Sequence, residues 1–163
     1  MLPQKLESPR LVLEKISMEW LDEIYKGKTG NVLKYCLHFG DLNAVHSWIN
    51  WCREAADRGQ CLTMVVLDKE KREFLGVAAV NDLNIDPQFS LWIKPDAQGR
   101  GYGRESVTCL LAWFKETYGQ DSKISYLVET DNLASIKLAI SVGMKWVGER
   151  LNEQGLVFQE LVV

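Results

Sequence analysis

Residues 98–105 read Gln-Gly-Arg-Gly-Tyr-Gly-Arg-Glu, three glycines and two arginines in eight positions. Gly101 and Gly103 flank Tyr102, after an apolar run and at the entrance of a helix-like segment. Glycine permits φ > 0 and lets another molecule approach the main chain. The first turn of a helix leaves its amide donors without intrahelical partners, and the helix dipole adds partial positive charge there. A backbone of this kind, with Gln98, Gly99, Arg100 and Arg104 around it, suits a phosphate. The other reading is a tight strand-to-helix turn with exposed arginines. The pattern is not GxxxxGK(S/T), so a nucleoside-triphosphate P-loop is not supported. It is not GxGxxG either, because position 104 is arginine and no opening βαβ unit frames it.

The remaining chemistry-bearing residues are sparse. Cys36, Cys52, Cys61 and Cys109 form no CxxC pair and share no zinc spacing with histidine. His38 and His46 lie eight apart and make no HExxH pair. The expectation is reduced thiols and no metal. A cysteine nucleophile would need a Cys/His/Asp setting that is missing here.

A chain of 163 residues with net charge −3 suggests one domain, 1–163, with a real core. No basic field invites nucleic acid or an anionic membrane. No run approaches the roughly 20 apolar residues that span a bilayer. The opening MLPQKLESPR lacks the apolar segment of a signal peptide, so the expected location is cytoplasmic. The oligomeric state is not readable, and a homodimer stays open.

The elements that must position the glycine loop follow from periodicity. Residues 10–16 alternate as a strand. Ser17 is a candidate cap for a helix carrying Trp20, Leu21, Ile24 and Tyr25, ended by Gly27 and Gly30. Residues 31–41 read as a short helix or loop. A helix over 43–58 presents Val45, Trp48, Ile49 and Cys52, and Gly59 stops it. CLTMVVLD and EFLGVAAVND are continuous apolar strands about the charged turn DKEKRE, and FSLWI is another, ended by Pro95. After the glycine loop come a helix over 106–118, the strand KISYLVE and a helix over 132–142. The apolar face of that last helix is read as Leu133, Ile136, Leu138 or Ala139, and Ile140. Gly143 ends it, and MKWVGER and GLVFQELVV close the chain as strands about a turn at 152–155. Hairpins mixed with crossover helices predict an α+β fold with a mixed sheet.

With these elements in place the chain resembles the GNAT acyltransferases. Gln98 to Gly103 is similar to that family's (R/Q)xxGx(G/A) signature, placed after the fourth strand and before a helix. SPRLVLEKIS resembles the first strand of the ribosomal-protein alanine acetyltransferase (RimJ/RimL-like) branch. DNLASIKLAISVGMKWVGE resembles that branch's NxxSxxxxxxxxGF segment, with Asn132, Ser135 and Gly143 in place and Met144 for the phenylalanine. The resemblance spans residues 8 to about 160. It implies a mostly antiparallel mixed sheet of about seven strands, splayed between strands 4 and 5 and flanked by about four helices. It implies acetyl-CoA as acyl donor, its pyrophosphate cradled by amides from Gly99 to Arg104. Leu91, Trp92 and Ile93 would pair through their backbone with the pantetheine arm, and Asn132 would hydrogen-bond it. The acceptor would be a primary amine, either a protein N-terminus or a small molecule.

Direct attack by an amine needs a neutral nitrogen, a base or water chain, and amide donors for the developing oxyanion. A main-chain amide near Trp92 or Ile93 is placed for the last task. Many family members carry a tyrosine acid four residues before the GF glycine; Ala139 stands there. Ser135 is the nearest hydroxyl and the candidate acid, with helix-end hydrogen bonding as its other reading. Gln88 replaces a usual glutamate and cannot act as a base. Asp82, Asp86 and Glu129 remain, each also readable as a surface carboxylate, and a water relay would also suffice. Trp48 and Trp51 are read first as helix–sheet packing and second as acceptor pocket. Tyr35, His38 and Asp41 lie where the family builds its acceptor site. The losses at 88 and 139 give weight to a second reading, a non-catalytic acyl-CoA-binding or regulatory module.

Overall fold

The two longest apolar runs lie side by side in the middle of the sheet. A computed structural model describes residues 2–36, 39–152 and 154–163. Among these, the strands are β1 (Lys5–Glu7), β2 (Leu11–Lys15), β3 (Leu62–Asp68), β4 (Phe74–Asn81), β5 (Gln88–Ile93), β6 (Ser125–Glu129), β7 (Lys145–Leu151) and β8 (Val157–Val162). The helices are α1 (Leu21–Gly27), α2 (Val32–Tyr35), α3 (Leu42–Asp57), α4 (Tyr102–Tyr118) and α5 (Leu133–Ser141). The sheet order is β1-β2-β3-β4-β5-β6-β8-β7, antiparallel except for the β5–β6 pair. This is the expected α+β arrangement with its mixed, mostly antiparallel sheet.

β3 and β4 are almost wholly buried because helices cover both faces. On one face α4 and α5 pack Val107, Leu110, Phe114 and Ala139 against residues such as Leu62, Met64, Ala78 and Val80. On the other, α1 and α3 pack Ile24, Val45, Ile49 and Cys52 against Val65, Leu67, Val77 and Trp92. Truncating a fully buried side chain such as Ile49 to alanine costs about 2–5 kcal/mol. Asp41 caps α3 by accepting from the Ala44 amide at 2.9 Å, which fixes where the helix begins.

Several details differ from expectation. There are eight described strands, because the three-residue β1 is too short to show alternation. There are five described helices, because the ambiguous stretch yields the single turn of α2. Ser17 makes no side-chain cap, and a 3-10 turn over Met18–Trp20 leads into α1. α4 starts at Tyr102, so half of the glycine loop is already helix. Leu133 and Ile140 are 62% and 59% exposed, so the buried face of α5 centres on Ala139 instead. Glu153, within the closing turn, lies outside the described residues, as does His38.

The β5–β6 seam creates the site. The parallel pairing holds only at Gln88–Ser125 and Phe89–Tyr126. Beyond them the strands part, at the expected place. Ser125 donates its amide to the Pro87 carbonyl (2.9 Å), and Lys94 donates to Leu75 (2.8 Å). Odd-numbered residues of β5 therefore turn their N–H and C=O toward β6, and even-numbered ones toward β4. Past Phe89 the odd-numbered set opens onto the gap.

Candidate active site

The gap is a cleft of about 1070 Å³. Along one bank run Ser90 to Ile93, on the other Tyr126 to Glu129, and at one end stands the glycine loop with Asn132 and Ser135 behind it. Of the residues singled out from sequence, Leu91, Trp92, Ile93, Gln98, Gly99, Gly101, Tyr102, Gly103, Arg104, Asn132 and Ser135 all line it. Arg100 does not; it is exposed, and its carbonyl is held from outside the cleft by Arg10.

The glycines serve two different needs. Gly99 and Gly101 have φ of +74° and +81°, in the left-handed region that side chains disfavour. Gly103 is different: a Cβ there would come within 2.9 Å of Leu138 Cδ1 and 3.2 Å of Leu91 Cδ2. It lets the first turn of α4 press against β5 and α5. The first intrahelical bond is Glu105 N–H to Gly101 O, so the amides of Tyr102, Gly103 and Arg104 precede the ladder.

A clamp absent from the sequence reading holds this loop. The Glu105 carboxylate accepts from Ser8 Oγ (2.7 Å), from the Arg10 amide (2.8 Å) and from Arg10 Nε (2.7 Å). Arg10 also donates to Arg100 O at 3.0 Å and lies 4.8 Å from the centre of the Tyr102 ring. Burial pushes the Glu105 carboxyl up, but the bonds from Ser8 and Arg10 outweigh it and hold the group below the usual carboxylate range. The one sequence signal was a glutamate in the first helical turn beside two arginines.

On β5, the main chain separates Leu91 and Ile93 from Trp92. Leu91 and Ile93 face the gap. Gln98 Nε2 already donates to the Ile93 carbonyl at 2.7 Å, tying the loop to the strand end. Trp92 turns its main chain to β4, where a Cβ on Gly76 would meet Trp92 O at 2.1 Å. Trp92 thus lines the cleft with its indole, and a Trp92 amide is not placed as an oxyanion donor.

Asn132 caps α5, its Oδ1 accepting from the Ser135 amide at 3.2 Å. Ser135 is half-buried at the cleft wall and near enough to Tyr126, a buried phenol on β6 that sequence reasoning passed over as a core aromatic, to draw its phenol down. Burial pushes the Tyr126 phenol up more than Ser135 draws it down. Ala139 is fully buried in the core, so its position contributes no group to the cleft. Glu129 lines the cleft, whereas Asp82 does not and Asp86 is engaged by Arg150 and Gln88. Asp41 is spent on its helix cap.

The face toward α1 and α3 is aromatic. Lys28, only 7% exposed, lies 4.3 Å from the Phe39 ring centre, 5.6 Å from Trp92 and 5.9 Å from Trp48. Burial pulls its ammonium below the usual lysine range, while the Cys36 thiol acts in the opposite direction. Burial likewise pushes Cys36 up, which does not favour a thiolate nucleophile. Trp48 is half-buried against Phe39, but Trp51 is 54% exposed at the cleft rim and packs little. Over this chamber α2 joins the two banks. Asn31 donates to Gln98 (2.9 Å) on one side, and Lys34 meets Asp131 (2.6 Å) on the other. Among the described residues, no group of three or more His, Cys, Asp or Glu could hold a metal, and no helix is long and apolar enough to cross a membrane.

Residues 10–145 match the family model of the acetyltransferase (GNAT) domain. The uncharacterized protein YkkB of Bacillus subtilis (strain 168) is 28% identical over 122 residues, which is 71% of this chain and 69% of that protein. Among solved structures, RimL, a ribosomal L7/L12 α-N-protein acetyltransferase in complex with coenzyme A, superposes with TM-score 0.83 at 16% identity, over 98% of this chain and 97% of that one. The spermidine N-acetyltransferase of Vibrio cholerae, in complex with CoA and spermine, gives 0.80 at 17% identity over 96% of each chain. At such identities the superpositions speak for the fold, and the family match speaks for descent. This chain belongs to the GNAT acetyltransferase family.

Proposed function

We propose that residues 1–163 act as one catalytic domain that transfers an acetyl group from acetyl-CoA to a primary amine, with both held in the cleft at once. The observation that supports this most is the continuity of one cavity from the amides of α4 to the unpaired edge of β5. The residues present fit the donor. Gly99 and Gly101 shape a bare backbone, the first-turn amides of α4 and Arg104 favour a pyrophosphate, and the edge at Leu91 suits an amide-bearing arm. Acetyl-CoA supplies a thioester carbonyl open to attack by nitrogen.

The chain's own groups divide the remaining work. Leu91 offers its N–H and C=O to the arm; Ile93 keeps its N–H, its carbonyl being held by Gln98. Asn132, fixed as a helix cap, presents its amide group to the same arm. Glu129 removes a proton from the acceptor ammonium, so that nitrogen has its lone pair. Ser135, backed by Tyr126, delivers a proton to the departing sulfur, a role the raised phenol of Tyr126 suits because it stays protonated. The acceptor is a protein N-terminal α-amine or a small-molecule amine. Relatives of this fold bear names with both kinds, a ribosomal protein and spermidine, so the fold does not choose between them.

Release of free thiol from acetyl-CoA, measured over a panel of amines and N-terminal peptides, tests the proposal. Acceptor-dependent release that falls in Ser135→Ala is expected. Tight CoA binding without acceptor-dependent release would point instead to a regulatory acyl-CoA-binding module.

A further inference from the structure

One side-chain amide stands where the glycine loop, β5 and α2 meet. Gln98 Nε2 donates to the Ile93 carbonyl at 2.7 Å and to Asn31 Oδ1 at 3.3 Å, and Gln98 Oε1 accepts from Asn31 Nδ2 at 2.9 Å. The two carboxamides pair reciprocally, and the second N–H of Gln98 is left for the strand. Turning the Gln98 amide over would set Oε1 against the Ile93 carbonyl, two acceptors, and Nε2 against Asn31 Nδ2, two donors. Asn31 therefore fixes which end of Gln98 meets β5. The turn that carries Asn31 is itself held. Thr29 O accepts from the Val32 amide at 3.1 Å and Asn31 O from the Lys34 amide at 3.2 Å. A Cβ on Gly30 would come within 3.7 Å of Pro95 Cγ, in the 3-10 turn that leads from β5 to Gln98.

The consequence lies on the open edge of β5. Its odd-numbered residues face the gap past Phe89, and an extended partner can pair with them two residues forward or back, a step of about 6.6 Å. Leu91 keeps both its N–H and its C=O for such a partner. Ile93 does not, because Gln98 occupies its carbonyl. The edge thus offers one complete pair where an unlatched strand would offer two.

We propose that Asn31 is a positioning residue: acting through Gln98, it keeps the Ile93 carbonyl closed and so admits the donor arm in one register, on Leu91. This rests on the acetyl-transfer reading and adds a residue to it. A thioester displaced by one pairing step is out of reach of an amine held elsewhere in the cleft, so register governs turnover more than affinity. Asn31 also opens α2, whose Val32, Tyr35 and Cys36 line the cleft, so the same amide pair ties that wall to the donor register.

The test reads the backbone amide signals of Leu91 and Ile93 by nuclear magnetic resonance at saturating CoA, together with kcat for one amine acceptor and calorimetric CoA affinity. The wild-type chain should show one set of signals. Asn31→Ala should show two sets or broadened ones, with kcat lower by about fivefold, the order of one or two lost hydrogen bonds, and CoA affinity within about twofold. Asn31→Asp should behave alike, since a carboxylate cannot donate to Gln98 Oε1. Adding Gln98→Arg to Asn31→Asp should restore the single set and most of kcat, because a guanidinium pairs with the carboxylate and still donates to Ile93. Thermal unfolding establishes that each variant is folded; Asn31 and Gln98 are both exposed, and Asn31→Asp carries the comparison if Asn31→Ala does not fold. A single set of signals with unchanged kcat in the folded variant would overturn the inference, as would a CoA affinity that falls as far as kcat. Absence of transfer to every amine by the wild-type chain, with CoA bound, would overturn the acetyl-transfer reading, while the Leu91 and Ile93 signals would still decide the register.

Discussion

The two ends of the cleft are built on different principles. The end proposed for the donor is made of main chain. Two left-handed glycines, a third glycine that permits close packing, and the first turn of α4 make the surface, and the Glu105–Arg10–Ser8 clamp holds it. The end proposed for the acceptor is made of side chains from α1, α2, α3, β5 and β6, with aromatic rings around Lys28 and a carboxylate on the other bank. A backbone site can serve any chain that keeps its glycines. A side-chain site changes with each substitution.

That contrast can be broken from either end. The largest effect is expected for Glu129→Gln, which removes the proposed base. kcat/KM for the amine should fall by about 10²–10⁴, with CoA affinity unchanged; a loss of CoA affinity instead would place Glu129 at the donor end. Tyr126→Phe and Ser135→Ala should each lower kcat, by about tenfold or more. Because the two side chains are neighbours at the cleft wall, the double variant should lose less than the product of the single losses. Simple multiplication would show that they act separately.

Glu105→Gln should weaken CoA binding by about fivefold, the order expected for losing one charge-assisted contact at a partly exposed site. Its pH dependence has a definite sign. The folded carboxyl lies below its ordinary value, so its contribution is complete above that value, near 4.5, and disappears as pH falls through the lowered one. The difference in CoA affinity between wild type and Glu105→Gln should therefore be flat from neutrality to about pH 5 and shrink only below it. The smallest effect belongs to Asp131→Asn. The Lys34–Asp131 pair is exposed on both sides, and such pairs contribute little. CoA affinity should change by less than about twofold, and the amine KM only modestly.

The same contrast explains what was legible in the sequence. Gln98 to Arg104 could be recognised because main-chain recognition demands glycine at fixed spacing, and the apolar runs of β3 and β4 could only be buried strands. The gap between β5 and β6 followed from the resemblance. Which backbone groups face it depends on pairing parity, and that removed Trp92 as an amide donor while keeping Leu91 and Ile93. The clamp was hidden because Ser8 and Arg10 lie about a hundred residues from Glu105. Tyr126 read as one more aromatic in an apolar strand, and Lys28 as one lysine between two glycines. Their significance comes from neighbours supplied by other elements, which no local spacing encodes. Arg100 was grouped with Arg104 by sequence proximity, but the left-handed turn at Gly101 separates them, and only Arg104 reaches the cleft.

The central claim is that the glycine loop and the α4 amides bind the donor. Calorimetric titration of CoA into the wild-type chain and into Gly101→Val tests it most directly. A branched side chain at φ +81° is strained by about 1–3 kcal/mol, and its Cβ would stand 3.3 Å from Arg10 at the rim of the cradle. The expected result is clear binding by the wild-type chain and a loss of about tenfold or more in the folded variant. Equal affinity in both, or no binding by either, would contradict the account.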